Sequence, residues 1–210
     1  MALKQFNRPD RKAGDFCGQQ PSIMSTATQA SADTTVKWTI DPVHSSIEFK
    51  VKHLMFTTVT GSFRTYSAEI LAGGDDLSHA QVNFSAEAAS VYTGNEQRDA
   101  HLKSPEFFDV AKYPAITFRS VRAEPVDGDG SWVLHGDLTI NGITKPISLD
   151  VEWGGVVKDP WGNVKAGVKI NGKLERSKWN LVWNTALESG GVLVSDEVRI
   201  ACEVQLVKQG

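Results

Sequence analysis

Cysteine is nearly absent, with Cys17 and Cys202 the only two in 210 residues. Two thiols so far apart make no Cys-x-x-Cys zinc or redox motif, and no disulfide framework is expected. Charge of one sign is not in surplus, since Lys+Arg 22 against Asp+Glu 25 leaves a formal net charge of -3. With no basic excess to neutralise a phosphate backbone, nucleic acid is not expected as a partner. No run approaches the roughly 18 consecutive apolar residues of a membrane-crossing helix, so no transmembrane segment is expected. The five histidines, His44, His53, His79, His101 and His135, show no His-x-His or His-x3-His spacing, and no metal site is expected. A Gly-x-Ser-x-Gly elbow is also missing, which removes one sign of a Ser-His-Asp hydrolase.

What is present is a globular balance, 40% apolar and 22% charged, and it is unevenly spread. Residues 1–35 are rich in Gln, Ser, Thr, Asp and Ala and carry few large apolar groups. Such a stretch buries too little surface to offset the entropy of ordering it, so a disordered N-terminal arm is expected there. It has no apolar core ending in a small-residue cleavage site, which points to the cytoplasm, with the periplasm as the alternative. Cys17 follows Asp15-Phe16, a context that does not support lipid attachment, and Met24 is an alternative start.

From Trp38 onward the pattern has period two. Ile47, Phe49, Val51 and His53 share one face of a strand, with Glu48, Lys50 and Lys52 on the other. The same alternation groups Val82, Phe84, Ala86 and Ala88, then Trp132, Leu134, Gly136, Leu138 and Ile140. It continues through Ile147, Leu149, Val151 and Trp153, through Val164, Ala166, Val168 and Ile170, and through Val198, Ile200, Cys202, Val204 and Leu206. Strands with one dry and one wet face follow. Gly73-Gly74-Asp75-Asp76, Asp127-Gly128-Asp129-Gly130 and Asn141-Gly142 separate the runs, and Asn-Gly between apolar alternations marks a tight hairpin. At Asn171-Gly172 the alternation carries on to Leu174, which suggests a bulge or bend. Pro160-Trp161-Gly162-Asn163 reads as a longer loop. The coarse count is eight strands in an antiparallel meander, and closing such a sheet removes its edges.

One segment departs from this pattern. Thr93-Gly94-Asn95-Glu96 fits a capping box with Thr93 as cap, Gln97 to Lys103 are good helix formers, and Ser104-Pro105-Glu106 opens a further turn. A helical excursion of about twenty residues therefore interrupts the sheet and ends with Phe107 and Phe108 near one end of the barrel. An eight-stranded barrel is just wide enough to be filled by side chains or to hold one small ligand. Small inward residues such as Ala86, Ala88, Ala166 and Gly136, set among Phe49, Phe84, Phe118 and Ile200, fit either state.

The motifs in order are Ile40-Asp41-Pro42-Val43-His44-Ser45-Ser46-Ile47-Glu48-Phe49, Val51-Lys52-His53-Leu54-Met55, and Gly61-Ser62-Phe63. Gln97-Arg98-Asp99-Ala100-His101-Leu102-Lys103-Ser104, Phe107-Phe108-Asp109 and Tyr113-Pro114-Ala115-Ile116-Thr117-Phe118 follow, then Gly136-Asp137-Leu138-Thr139-Ile140 and Glu175-Arg176-Ser177-Lys178-Trp179. In this succession the chain resembles the YceI-like family, lipocalin-like proteins known for binding polyisoprenoid lipids. The resemblance spans Trp38 to Val207. It implies an all-β, eight-stranded antiparallel, lipocalin-like barrel over residues 36–208, with a short helical insertion near the mouth and one amphiphile in its bore.

The expected function is non-enzymatic binding, transport or storage of a long-chain amphiphile, an isoprenoid or fatty-acyl lipid, with no cofactor beyond that lipid. The alternative is an isoprenoid-quinone-binding accessory to a redox partner, and a third reading is a stress-response module whose barrel is solid. The candidate ligand-binding residues are Phe49, Val51, Phe84, Phe118, Leu138 and Val168 for the tail, with Phe107 and Phe108 gating the mouth. His53, Arg98 and His101 are candidates for the head group. For His53 a satisfied core histidine remains the competing reading; for Arg98, a structural ion pair with a carboxylate. Cys202 is expected as a buried thiol acting as a small hydrophobe. Trp161 is expected to be exposed at a loop tip, where a homodimer and a transient membrane contact both stay open.

Overall fold

Period-two alternation becomes sheet along almost the whole of the described chain, which comprises residues 35–126, 128, 130–186 and 192–209 of a computed structural model. The expected N-terminal arm, Cys17 and Met24 lie outside these residues. The strands are β1 (Thr35–Ile40), β2 (Ser46–His53), β3 (Thr57–Phe63), β4 (Tyr66–Gly73), β5 (Asp76–Glu87) and β6 (Val91–Tyr92), followed by helix α1 (Glu96–Lys103). After the helix come β7 (Ala115–Pro125), β8 (Trp132–Ile140), β9 (Ile143–Lys158), β10 (Val164–Glu175) and β11 (Val194–Gln209).

The order β1-β4-β5-β7-β8-β9-β10-β11 closes on itself through β1–β11, giving eight antiparallel staves. In the closing pair Lys37 stands opposite Gln209 and Ile40 opposite Leu206. The first half of β11 pairs instead with β2, from Val198 opposite Val51 to Glu203 opposite Ser46. Thus β2 prolongs β1 beyond a kink at residues 41–45, and β3 leads into β4 across Arg64-Thr65. The barrel is thereby extended at the end that carries α1, the Asn141-Gly142 turn and the 176–193 connection. The opposite end holds the turns at Gly74-Asp75 and Asp159–Asn163 and is filled by Trp38, which is fully buried and donates its indole N–H to Gly74 O at 3.2 Å.

The kink between β1 and β2 is held by one carboxylate. Asp41 accepts from Gln205 Nε2 at 2.9 Å and from the Val43 amide at 3.1 Å, and it is hydrogen-bonded to His44 Nδ1 at 2.9 Å. Burial alone would raise its pKa, but the bonds from His44, Val43 and Gln205 outweigh that and lower it to about 2. A carboxyl titrating lower in the folded chain than in the unfolded one stabilises fully above its unfolded value, and the contribution disappears as pH falls through the folded value. Denaturation midpoints are therefore expected to fall between about pH 4 and pH 2. Asp41→Asn should flatten that slope; an equal slope in the variant would remove Asp41 as its source.

Two features differ from the sequence expectation. The bulge lies not at Asn171-Gly172, where β10 runs on in register, but between Ala166 and Val168 against β9. There Gly154-Gly155 oppose Gly167, and Gly155 has φ 92, so the extra residue sits where the chain can turn left-handed. The helix cap is Asn95, whose side chain accepts from the Arg98 amide at 2.9 Å, rather than Thr93. Gly94, at φ 78, turns the chain so that Thr93 instead donates through both its amide and hydroxyl to buried Asp99.

Candidate ligand-binding lumen

The inward faces of the staves enclose an apolar cavity of about 630 Å³, so the interior is not solid. Its wall is built by the alternation itself: Phe84 and Ala86 from β5, Ile116 and Phe118 from β7, Leu134 and Leu138 from β8, Val168 and Ile170 from β10. Small inward residues serve two ends. Gly136 seats the Phe118 ring, since a Cβ there would stand 2.4 Å from Phe118 Cζ and 2.5 Å from the Arg119 carbonyl oxygen. Gly61 seats Phe49 in the same way, at 2.3 Å. Ala86, 1% exposed, instead lines the cavity with a small side chain and leaves it room.

All eleven residues selected from the sequence line this cavity: Phe49, Val51, His53, Phe84, Arg98, His101, Phe107, Phe108, Phe118, Leu138 and Val168. Phe107 and Phe108 are buried where α1 meets the barrel, and the Phe107 carbonyl accepts from Asn141 Nδ2 at 2.7 Å. His101 packs edge-on against Phe107 at 5.0 Å and Trp183 at 4.8 Å between ring centroids, and its Nε2 is hydrogen-bonded to Glu106 Oε2 at 2.6 Å. Arg98 donates from Nε to Thr93 Oγ1 at 2.7 Å and from Nη2 to Thr93 O at 2.9 Å, so its structural bonds run to a threonine rather than to a carboxylate. The α1 region thus brings Thr93, Asn95, Gln97, Arg98 and His101 to the rim of a mainly apolar bore, which Glu48, His53 and Arg176 also line. Cys202 also faces the lumen; burial pushes its thiol up to about 11, which keeps it protonated and unreactive.

Sequence reasoning gave Arg176 no role beyond its place in a motif. The residue is 6% exposed and its guanidinium donates to four carbonyl oxygens: Ser195 at 3.0 Å, Leu181 at 2.5 Å, Trp183 at 2.9 Å and Val194 at 3.5 Å. Desolvation lowers its pKa, opposed by the charge of Asp196. This one side chain ties Leu181 and Trp183 to the start of β11 at the mouth. Trp183, carried by that connection, completes the aromatic cluster with His101 and Phe107.

A second constellation lies on the outer wall. Ser148 Oγ is 2.9 Å from His135 Nδ1, and His135 Nε2 is 3.2 Å from Glu124 Oε2. The three face outward on β9, β8 and β7, and Glu124 is also paired with Arg122. Ser148 sits mid-strand, where neighbouring amides run along the ladder instead of converging in front of Oγ, so nothing assembles an oxyanion hole. The set is a cross-strand polar ladder. Among the described residues no three of His, Cys, Asp and Glu gather to hold a metal ion, and no helix is long and apolar enough to cross a membrane.

Fold and lumen together define a lipocalin-like barrel, closed, greasy within and crowned by one helix. The YceI-like domain model matches residues 38–206, and the chain belongs to the YceI-like family. It is 37% identical over 171 residues to the UPF0312 protein of Staphylococcus aureus strain USA300, covering 80% of this chain and 95% of that protein. The Campylobacter jejuni YceI protein superposes with a TM-score of 0.63 at 33% identity, over 76% of this chain and 90% of that one. A polyisoprenoid-binding domain from Saccharophagus degradans shares the fold at TM-score 0.59 and 14% identity, over 82% of this chain and 98% of its own.

Proposed function

We propose that the barrel is a non-enzymatic carrier of a long-chain amphiphile, an isoprenoid or fatty-acyl lipid, with its tail in the bore and its head at the α1 rim. The observation that carries this reading is the apolar cavity of about 630 Å³ opening beside the polar groups of α1. Burying a tail is worth about 0.8 kcal/mol per methylene, so a dozen carbons supply roughly 10 kcal/mol gross, from which ordering and association costs are subtracted. That suffices without any catalytic group. In this assignment Phe49, Val51, Phe84, Phe118, Leu138 and Val168 touch the tail, Phe107 and Phe108 flank the entrance, and His53, Arg98 and His101 meet the head.

Mass analysis of an organic extract of gently purified protein is expected to return one dominant lipid in near-stoichiometric amount. An extract free of lipid, from protein that also takes up no prenyl or fatty-acyl probe, would end the proposal. A quinone absorbance in the extract would instead favour the redox-accessory reading.

A further inference from the structure

The β2–β3 turn at the mouth uses residues that folding alone would not choose. The Phe56 amide closes it on His53 O at 3.2 Å, and both Leu54 and Met55 have positive φ, 51 and 62. L side chains rarely adopt that conformation, and the sequence that accommodates it is Asn-Gly. The chain uses that solution at its β8–β9 turn, where Asn141 and Gly142 have φ 50 and 70. At the mouth it places two large apolar side chains in the strained positions instead. Packing repays only part of this: Leu54 is half-buried, but Met55 is 64% and the following Phe56 85% exposed.

Charge is withheld from the same region. Residues 53–63 contain no Asp, Glu, Lys or Arg and are flanked by Lys52 and Arg64; residues 179–187 contain none either and lie between Lys178 and Glu188. The two segments are joined at the mouth, with the Leu54 amide donating to Leu193 O at 2.8 Å and the Leu193 amide to Thr185 O at 3.0 Å. Val182, 62% exposed, is an uncovered apolar side chain of the second segment. Neighbouring residues of these segments, among them His53, Val59, Trp183 and Leu193, line the lumen, so the rim is continuous with the bore. An uncharged, aromatic-tipped projection with lysine and arginine at its base suits the boundary of a lipid bilayer, where the tip enters hydrocarbon and the cations reach back to the headgroups.

We infer that the Leu54-Met55-Phe56 tip inserts into a membrane and seats the mouth of the barrel on it, so that a lipid passes between bilayer and bore without crossing water. This rests on the lipid-carrier reading above. A second copy of the chain is the less fitting occupant: a stable interface buries roughly 1,200–2,000 Å² in all, and a narrow convex turn offers little of that.

The full chain is expected to float with phosphatidylcholine vesicles in a density gradient. Phe56→Glu, and the double variant Leu54→Asn with Met55→Gly, should each reduce vesicle partitioning at least tenfold. The double variant should also melt higher than the parent, because it relieves the turn. Neither change touches a lumen residue, so both variants should load a fluorescent fatty-acyl or prenyl probe from detergent micelles as the parent does. A parent that loads probe but does not float, or variants that float equally, would overturn the docking surface and leave the lumen reading intact. Flotation without any loading would remove the lumen reading and the reason for docking with it. A parent dimer converted to monomer by the double variant would assign the tip to a copy-to-copy contact and overturn the proposal.

Discussion

Replacing Arg176 with methionine should lower the melting temperature by about 10 °C or more. The side chain is a buried cation whose partners are the carbonyls of Leu181, Trp183, Val194 and Ser195. Methionine is long enough to fill much of the space, so the loss is mainly polar: the carbonyls of Leu181, Trp183 and Ser195 lose the guanidinium at once, while Val194 O keeps its bond from Asn184 Nδ2 at 2.7 Å. Leaving a buried carbonyl without its donor costs about 1–3 kcal/mol, and for a domain of this size each kcal/mol shifts the midpoint by about 2–4 °C. Lysine keeps the charge but brings three donors from a single point in place of a planar fork, so Arg176→Lys should recover only part of the loss. Calorimetry checks this directly, and a midpoint equal to the parent's would mean that the 176–193 connection holds itself. The same variant should release bound lipid faster, since Trp183 loses its tether over the mouth.

The second large effect concerns the bore. Phe84 on β5 and Val168 on β10 stand four staves apart in a ring of eight and line the cavity from opposing walls. Changing both to tryptophan adds ring volume to existing empty space, not to a packed interior, so the thermal midpoint should hold or rise. Ligand loading should collapse. If the indoles exclude as few as three methylenes of a tail, the loss is about 2.4 kcal/mol, or roughly fifty-fold in affinity. Titration with a fluorescent fatty-acyl probe measures it. Undiminished loading by a folded double variant would show that the lipid lies elsewhere.

The lumen was legible in the sequence because a strand places every second residue on the same wall; once Phe49, Phe84, Leu138 and Val168 are in phase, closure makes them neighbours. The β3–β4 stave was not legible. Its first part, Thr57-Thr58-Val59-Thr60-Gly61-Ser62, has no apolar alternation, since Gly61 faces the Phe49 ring in place of a side chain of its own. The helix was recognised but its cap misplaced by two residues, because Thr93 and Asn95 both suit an N-cap and only the left-handed Gly94 between them decides. Arg176 lay beyond reach for a different reason. Its four acceptors are backbone carbonyls, which every residue carries, so nothing in the surrounding sequence marks them. The Ser148-His135-Glu124 ladder depends likewise on the register of three strands. For Trp183 a signal existed, an excess of tryptophans over what a core needs, though not one that fixed its place beside His101.

One strand carries more of the closure than the rest. β11 pairs with β10 along its length, with β2 over its first half and with β1 over its last residues. It is also the last strand of the barrel in chain order. Throughout synthesis, then, the nascent sheet is an unrolled trough with its oily side bare, and the seam from Lys37 to Gln209 can be stitched only after translation of the last stave. Until that seam closes, the inward faces of the other staves lie open to water, so the lumen comes into being only with the pairing of β11 to β1.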